Sequence, residues 1–213
     1  MRHVVIPVAD EPANPSLPLA IASIHKHTDY IPVTVGKDFG VTPQHIATTQ
    51  LLGRGHAFTN TDLAVRVACE TGWVSDPFIL SADDIYWLEP ATPIRWALGR
   101  LETAQGSTVY AQRKRATAAL LQSMGLPTFD YESHTPILVH KAPMLEALTL
   151  GGEKRSVYGN ITGLPDHIGP DVKLRHATDP LPKAAWVSTE ARPTRYPQLM
   201  GALNSVSDSS TQR

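Results

Sequence analysis

The first 36 residues constrain the fold most. His3-Val-Val-Ile-Pro-Val-Ala9 is a β-branched run that suits a buried strand. Asp10-Glu-Pro-Ala-Asn-Pro15 breaks it into a loop. Ser16 is placed to cap a helix over 17–26, whose apolar residues Leu17, Ala20, Ile21 and Ile24 share one face. Ile31-Pro-Val-Thr-Val35 is a second strand, stopped by Gly36, and its proline suits an edge position or a strand start. A strand, a helix of about ten residues and another strand favour a parallel pair with a right-handed crossover.

The pattern continues less evenly. Residues 42–52 read as a helix, with Thr42 as cap and Pro43 in its first position, and Gly53-Arg-Gly55 as a turn. Residues 61–71 carry Leu63, Ala64, Val67 and Ala68 on one helical face, ended by Gly72. The wholly apolar 77–80 run reads as a central strand. Helical patterns follow over 91–101 and 111–124. Beyond them come a strand over 135–139, a helix over 142–150, and a helix or loop over 154–160. Brief strands over 171–174 and 184–187 and a last helix over 196–203 complete the chain. Regular alternation followed by an irregular half predicts an α/β fold with an elaborated C-terminal part.

Composition narrows the function. The chain has 213 residues, which at roughly 150 residues per domain favours one domain over 1–204. The polar tail 205–213 is too poor in apolar residues to order itself. Lys and Arg total 19 and Asp and Glu total 20, so bulk charge alone holds the chain to neither nucleic acid nor membrane. A single cysteine, Cys69, excludes an intramolecular disulfide and a cysteine zinc cluster. No run approaches the ~20 apolar residues of a membrane span. Asp10 and Glu11 follow the first strand too closely for a secretory signal, so the expected location is the cytoplasm.

The chemistry centres on Phe78-Ile-Leu-Ser-Ala-Asp83-Asp84-Ile-Tyr-Trp87. In an open α/β sheet, ligands sit beyond the carboxyl ends of the strands. Two adjacent carboxylates there repel, and a Mg²⁺ or Mn²⁺ ion shared with diphosphate oxygens relieves the repulsion. The other reading is a strand end with two solvated acids, one capping the next turn. Glu132 and His134 share a side of an extended stretch, where either could act as general base and His134 could instead ligate a metal. Arg155, Tyr158 and Asn160 form a further set, in which Arg155, or Lys173 further on, could stabilise a leaving phosphate. Asn60 reads equally well as the cap of the following helix. No Gly-x-Gly-x-x-Gly or Walker pattern occurs, which speaks against a dinucleotide dehydrogenase or a P-loop kinase.

Several segments together resemble the GT-A fold glycosyltransferases, which use nucleotide diphosphate sugars, and more narrowly the small bacteriophage members. They are Arg54-Gly-His-Ala-Phe-Thr-Asn60, Leu80-Ser-Ala-Asp-Asp84, Tyr131-Glu-Ser-His-Thr-Pro136, Arg155-Ser-Val-Tyr-Gly-Asn160 and Asp171-Val-Lys173. One departure is that Ala82-Asp83-Asp84 stands where the family has Asp-x-Asp, so the first metal-facing acid is missing or replaced by Ser81. The resemblance implies a Rossmann-like, mostly parallel mixed sheet flanked by helices. It implies that Val8, Ala9, Asp10, Arg54, Asn60 and Asp83 contact a UDP- or GDP-sugar, with Tyr158, Asn160 and Trp87 near it. It implies a Mn²⁺ or Mg²⁺ ion on Asp84, its favoured ligand, with Asp83 or His134, and catalysis by Glu132, His134 and Arg155. The implied acceptor is a hydroxyl, either that of a hydroxymethylated pyrimidine in phage DNA tracked by Arg113, Lys114 and Arg115, or one on a protein or glycan. A nucleotidyltransferase and a non-catalytic nucleotide-sugar-binding module are the alternatives.

Overall fold

β1 (His3–Val8) and β2 (Ile31–Gly36) pair in parallel over their full length, with α1 (Leu17–His27) as the connection. This is the expected β-α-β unit. The computed structural model describes residues 2–11, 13–51, 56–91, 93 and 96–204. Arg54, the Gly53–Gly55 turn, Arg95 and the 205–213 tail lie outside the described residues. Leu17, Ala20, Ile21 and Ile24 are buried, as their spacing requires. Ser16 makes no side-chain cap. Asn14 does its work instead, accepting the Leu17 amide at 3.1 Å.

The helix expected over 42–52 is absent. β3 (His45–Ala47) stands there and pairs in parallel with the end of β2, from Thr34↔His45 to Gly36↔Ala47. Pro32 falls before this pairing begins, which is why a strand with neighbours on both sides tolerates it. α2 (Ala57–Glu70) begins earlier than its periodicity indicates. β4 (Phe78–Leu80) then returns beside β1, parallel to it. After β5 (Ile85–Trp87), the described residues of 91–101 form no α-helix where one is expected. There the amides of Leu98 and Leu101 are taken by the Asp130 and Thr128 carbonyls, so the backbone is spent on distant partners rather than on its own turn.

The second half follows the expected order with shifted ends. α3 (Val109–Ser123) leads to β6 (Ile137–Val139), which is antiparallel to β4. α4 (Lys141–Leu150) and α5 (Lys154–Ile161) come next. β7 (Lys173–Leu174), β8 (Trp186–Thr189) and α6 (Pro197–Asn204) end the described chain. The main sheet has the order β3-β2-β1-β4-β6, and a small sheet has the order β5-β8-β7. The chain is therefore α/β and Rossmann-like, with a mixed, mostly parallel sheet between helices.

Alternation along β1 divides the core. Val5 packs with α2, α4 and α5 on one face, through Ala64, Val65, Met144 and Val157. Val4, Ile6 and Val8 pack on the other with α1 and with Trp87 and Trp186 of the small sheet. Those two indoles meet edge to face, centroids 5.6 Å apart, and fasten the small sheet over α1. Strand order reverses between β1 and β4, the place where an open α/β sheet leaves a crevice at its carboxyl edge.

Candidate functional site

The crevice is present as a cleft of about 900 Å³. Its floor is the end of β1 and the residues after it, Val8 to Glu11, with Leu80 to Asp83 from β4. Ala57, Asn60, Thr61 and Ala64 of α2 form one wall, and Lys154 and Arg155 at the start of α5 form another. Of the residues expected around a nucleotide sugar, Val8, Ala9, Asp10, Asn60, Asp83 and Arg155 converge here.

The two adjacent acids part company. Asp83 borders the cleft, and its Oδ2 accepts a hydrogen bond from the Asn14 amide. Burial and then the neighbouring Asp84 charge push its carboxyl up to about 6. Asp84 instead accepts the Ser188 hydroxyl at 2.9 Å, with the Lys173 ammonium 3.9 Å away. Asp84 is thus held by partners outside the cleft lining, whereas Asp83 borders the cleft. Ser81 lines the cleft with its hydroxyl buried and without a hydrogen-bond partner.

Two amide side chains shape the cleft beside the end of β1. Gln50, which sequence reasoning missed, accepts the Asp10 amide at 2.7 Å and donates to the Val8 carbonyl. It extends the edge of β1 as another strand would. Asn60 accepts the Leu51 amide at 2.9 Å and donates to the Leu51 carbonyl at 2.8 Å. It lies within α2 and so does not cap it; its amide holds the cleft rim. The Asp10 carboxylate pairs with Lys37 at 2.8 Å.

The cationic wall is held from behind. Arg155 donates through Nη2 to the Thr135 carbonyl at 2.6 Å, while its Nε is buried without a hydrogen-bond partner. Burial lowers its pKa, against the raising effect of Glu132. Lys154 reaches Asp62 on α2 at 2.8 Å. Glu132 does not border the cleft. Its Oε1 accepts from the Ser156 amide at 2.9 Å and the Ser156 hydroxyl at 3.0 Å, so it caps α5. Glu132 is thus engaged at a helix terminus rather than in the cleft lining.

His134 belongs to a different cluster. Its Nδ1 lies 3.0 Å from Asp171 Oδ1, and Asp171 Oδ2 accepts from Arg175 at 2.7 Å. Burial opposes ionisation of Asp171, but the His134 and Arg175 hydrogen bonds outweigh it and hold the carboxyl well below the usual carboxylate range. His134 does not join Asp83 and Asp84. Among the described residues no group of three or more His, Cys, Asp or Glu gathers to hold a metal.

Other expected residues are structural. Trp87 is fully buried against Trp186 and Tyr30, on a strand covered on both faces. The buried Tyr158 hydroxyl donates to the Leu138 carbonyl at 3.1 Å and accepts the His140 amide at 3.0 Å. Asn160 grips Phe129 by both its amide and its carbonyl, at 3.0 and 2.8 Å. The basic run does not form a shared surface track. Arg113 pairs with Glu153 at 2.7 Å, the buried Lys114 pairs with Asp130 at 2.6 Å, and Arg115 donates to the Ala104 carbonyl at 2.7 Å. No described helix is long and apolar enough to cross a membrane. Comparison with known protein families and with curated proteins finds no match.

Proposed function

We propose that the protein is a GT-A-type glycosyltransferase that binds a nucleotide diphosphate sugar in this cleft and moves the sugar to a hydroxyl acceptor. One observation carries the reading. At the strand-order reversal, a cleft of about 900 Å³ sets an under-neutralised carboxylate, Asp83, across from a guanidinium with a free N–H, Arg155. The end of β1 offers backbone and Asp10 to the nucleoside. Arg155 offers positive charge to the diphosphate, where charge builds as the glycosidic bond breaks.

Asp83 also fits the implied Mn²⁺ or Mg²⁺. A small hard cation is commonly held by one or two carboxylates together with substrate phosphates, and Asp83, with Asp84 beside it, is such a partial set. When bound, the ion supplies charge neutralisation at the leaving diphosphate. In the transfer the acceptor oxygen bonds to the anomeric carbon. The bond from that carbon to phosphate oxygen breaks, and its electron pair leaves with the nucleoside diphosphate. The acceptor's proton passes to a protein base.

The internal pairing of Arg113, Lys114 and Arg115 removes the support for a DNA acceptor. The loop Asp10-Glu-Pro-Ala-Asn14 is neither glycine-rich nor basic, which disfavours a nucleotidyltransferase. Calorimetry with UDP- and GDP-sugars in the presence of Mn²⁺, followed by assay of nucleoside diphosphate release, tests the reading. Binding of at least one donor is expected, weakened at least ~10-fold by Asp83→Asn and by Arg155→Met. Absence of binding to every donor, or unchanged binding in both variants, overturns it. Binding without turnover on any hydroxyl acceptor leaves a nucleotide-sugar-binding module.

A further inference from the structure

We infer that Lys154 is a phosphate-binding residue of the cleft whose charge Asp62 holds until a ligand displaces it, so that the Lys154–Asp62 pair sets how tightly a diphosphate group binds. The inference rests on the glycosyltransferase reading of the cleft and adds to it a second cation and that cation's internal competitor. Lys154 and Arg155 are the cations among the described residues of the cleft lining, both at the start of α5. They are held differently. Arg155 is anchored on the Thr135 carbonyl at 2.6 Å, with Nε left over. Lys154 reaches away from its own helix to α2, where its Nζ lies 2.8 Å from Asp62 Oδ1. Asp62 is not part of the lining, although Thr61 beside it is. The pair therefore ties two walls of the cleft together and draws the ammonium toward α2.

This tie is built to open. Asp62 Oδ1 accepts no aligned hydrogen bond, so the contact is charge at close range rather than directed bonding. The Asp62 side chain is 36% exposed, so water can take the place of Lys154 on it. A lysine ammonium is a point charge on a flexible stem and can turn its donors to another anion. The cleft supplies the reason for the exchange. Its lining carries three acids, Asp10, Glu11 and Asp83, of which Asp10 pairs with Lys37. While Asp62 neutralises Lys154, Arg155 alone offsets the others. Ser81 Oγ on the floor and Arg155 Nε on the wall are buried donors without partners, a state that a phosphate oxygen would relieve. Asp62 offers Lys154 one negative charge and a diphosphate offers more than one, so the ammonium gains by the exchange.

Calorimetry on the full-length protein in Mn²⁺, with UDP, GDP, pyrophosphate, uridine and guanosine, tests the exchange. Asp62→Asn is expected to tighten binding of UDP or GDP ~2–5-fold, the range for freeing one partner of a partly exposed ion pair. Asp62→Ala is expected to give the same gain. Damage to the fold weakens binding, so the sign of this effect separates the proposed role from a structural one. Lys154→Gln is expected to weaken binding at least ~10-fold, and Asp62→Asn is expected to add nothing to it. Pyrophosphate is expected to follow the same pattern, and the nucleosides, which lack phosphate, to bind every variant within ~2-fold of wild type. Asp62 variants that bind UDP and GDP no tighter than wild type, a gain that survives Lys154→Gln, or an equal gain for the nucleosides overturns the inference and leaves the cleft reading intact. A wild type that binds neither nucleoside diphosphates nor nucleotide sugars overturns both.

Discussion

Asp83 and Asp171 are carboxylates in opposite company. Asp83 has a neutral amide donor, Asn14, and a second acid beside it, and its carboxyl is raised to about 6. Asp171 has an arginine and a histidine, and its carboxyl is held low. The contrast separates two uses of the same group. Where the cleft opens, the fold leaves negative charge unbalanced, a state that favours a bound cation or proton. At Asp171 it over-supplies positive partners, and the carboxylate stays ionised. Strongly perturbed carboxylates cluster at functional sites, and here the sign of the perturbation tells the two roles apart.

The largest test of this contrast is Asp83→Asn. Donor turnover is expected to fall at least ~100-fold. Stability is expected to move the other way. A folded pKa above the ordinary value favours the native state at low pH, and that advantage is lost as pH rises through about 6. At pH 7.5 the substitution removes an uncompensated charge, so thermal denaturation is expected to show a gain of about 1–3 kcal/mol. A less stable variant would break the comparison.

Asp171→Asn is its mirror. A depressed folded pKa gives stability that is present above the ordinary carboxylate value and lost as pH falls. A loss of about 1–3 kcal/mol is expected at pH 7, shrinking as pH falls below about 4, measured by urea denaturation across pH. Glu132→Gln sharpens the picture of the acids as a group. As a helix cap it is expected to cost about 1 kcal/mol of stability, with turnover changed less than ~3-fold. The smallest effect belongs to Lys37→Met. That pair with Asp10 is exposed, and its removal is expected to change stability by less than ~1 kcal/mol in low salt and by less still in high salt.

Much of the sheet was legible because its signals are local. The β-branched runs at His3–Val8 and Ile31–Gly36, and the apolar faces of α1 and α2, are packing requirements written at short spacing. The segment around His45 was not legible. Thr42 and Pro43 imitate a helix start, but the Thr42 hydroxyl donates to the Pro32 carbonyl at 3.2 Å, and pairing with β2 outweighs helix propensity. Asp83 was visible as a strand-end acid. Its separation in role from Asp84 was not, because it depends on Asn14 and Ser188, 69 and 104 residues away along the chain. Trp87 misled by adjacency, since β5 is covered on both faces and all of Ile85–Trp87 lies in the core. The partnership of His134 with Asp171 spans 37 residues and leaves no periodic trace.

Asn14 is one side chain with two obligations. Its oxygen holds the Leu17 amide at the first turn of α1, while its nitrogen holds Asp83. A ligand group that draws Asp83 toward itself competes for Asn14, and the far consequence falls on the backbone of α1 rather than on the cleft. Amide exchange at Leu17 thus becomes an internal reporter of occupancy, readable without labelling the ligand and without any turnover.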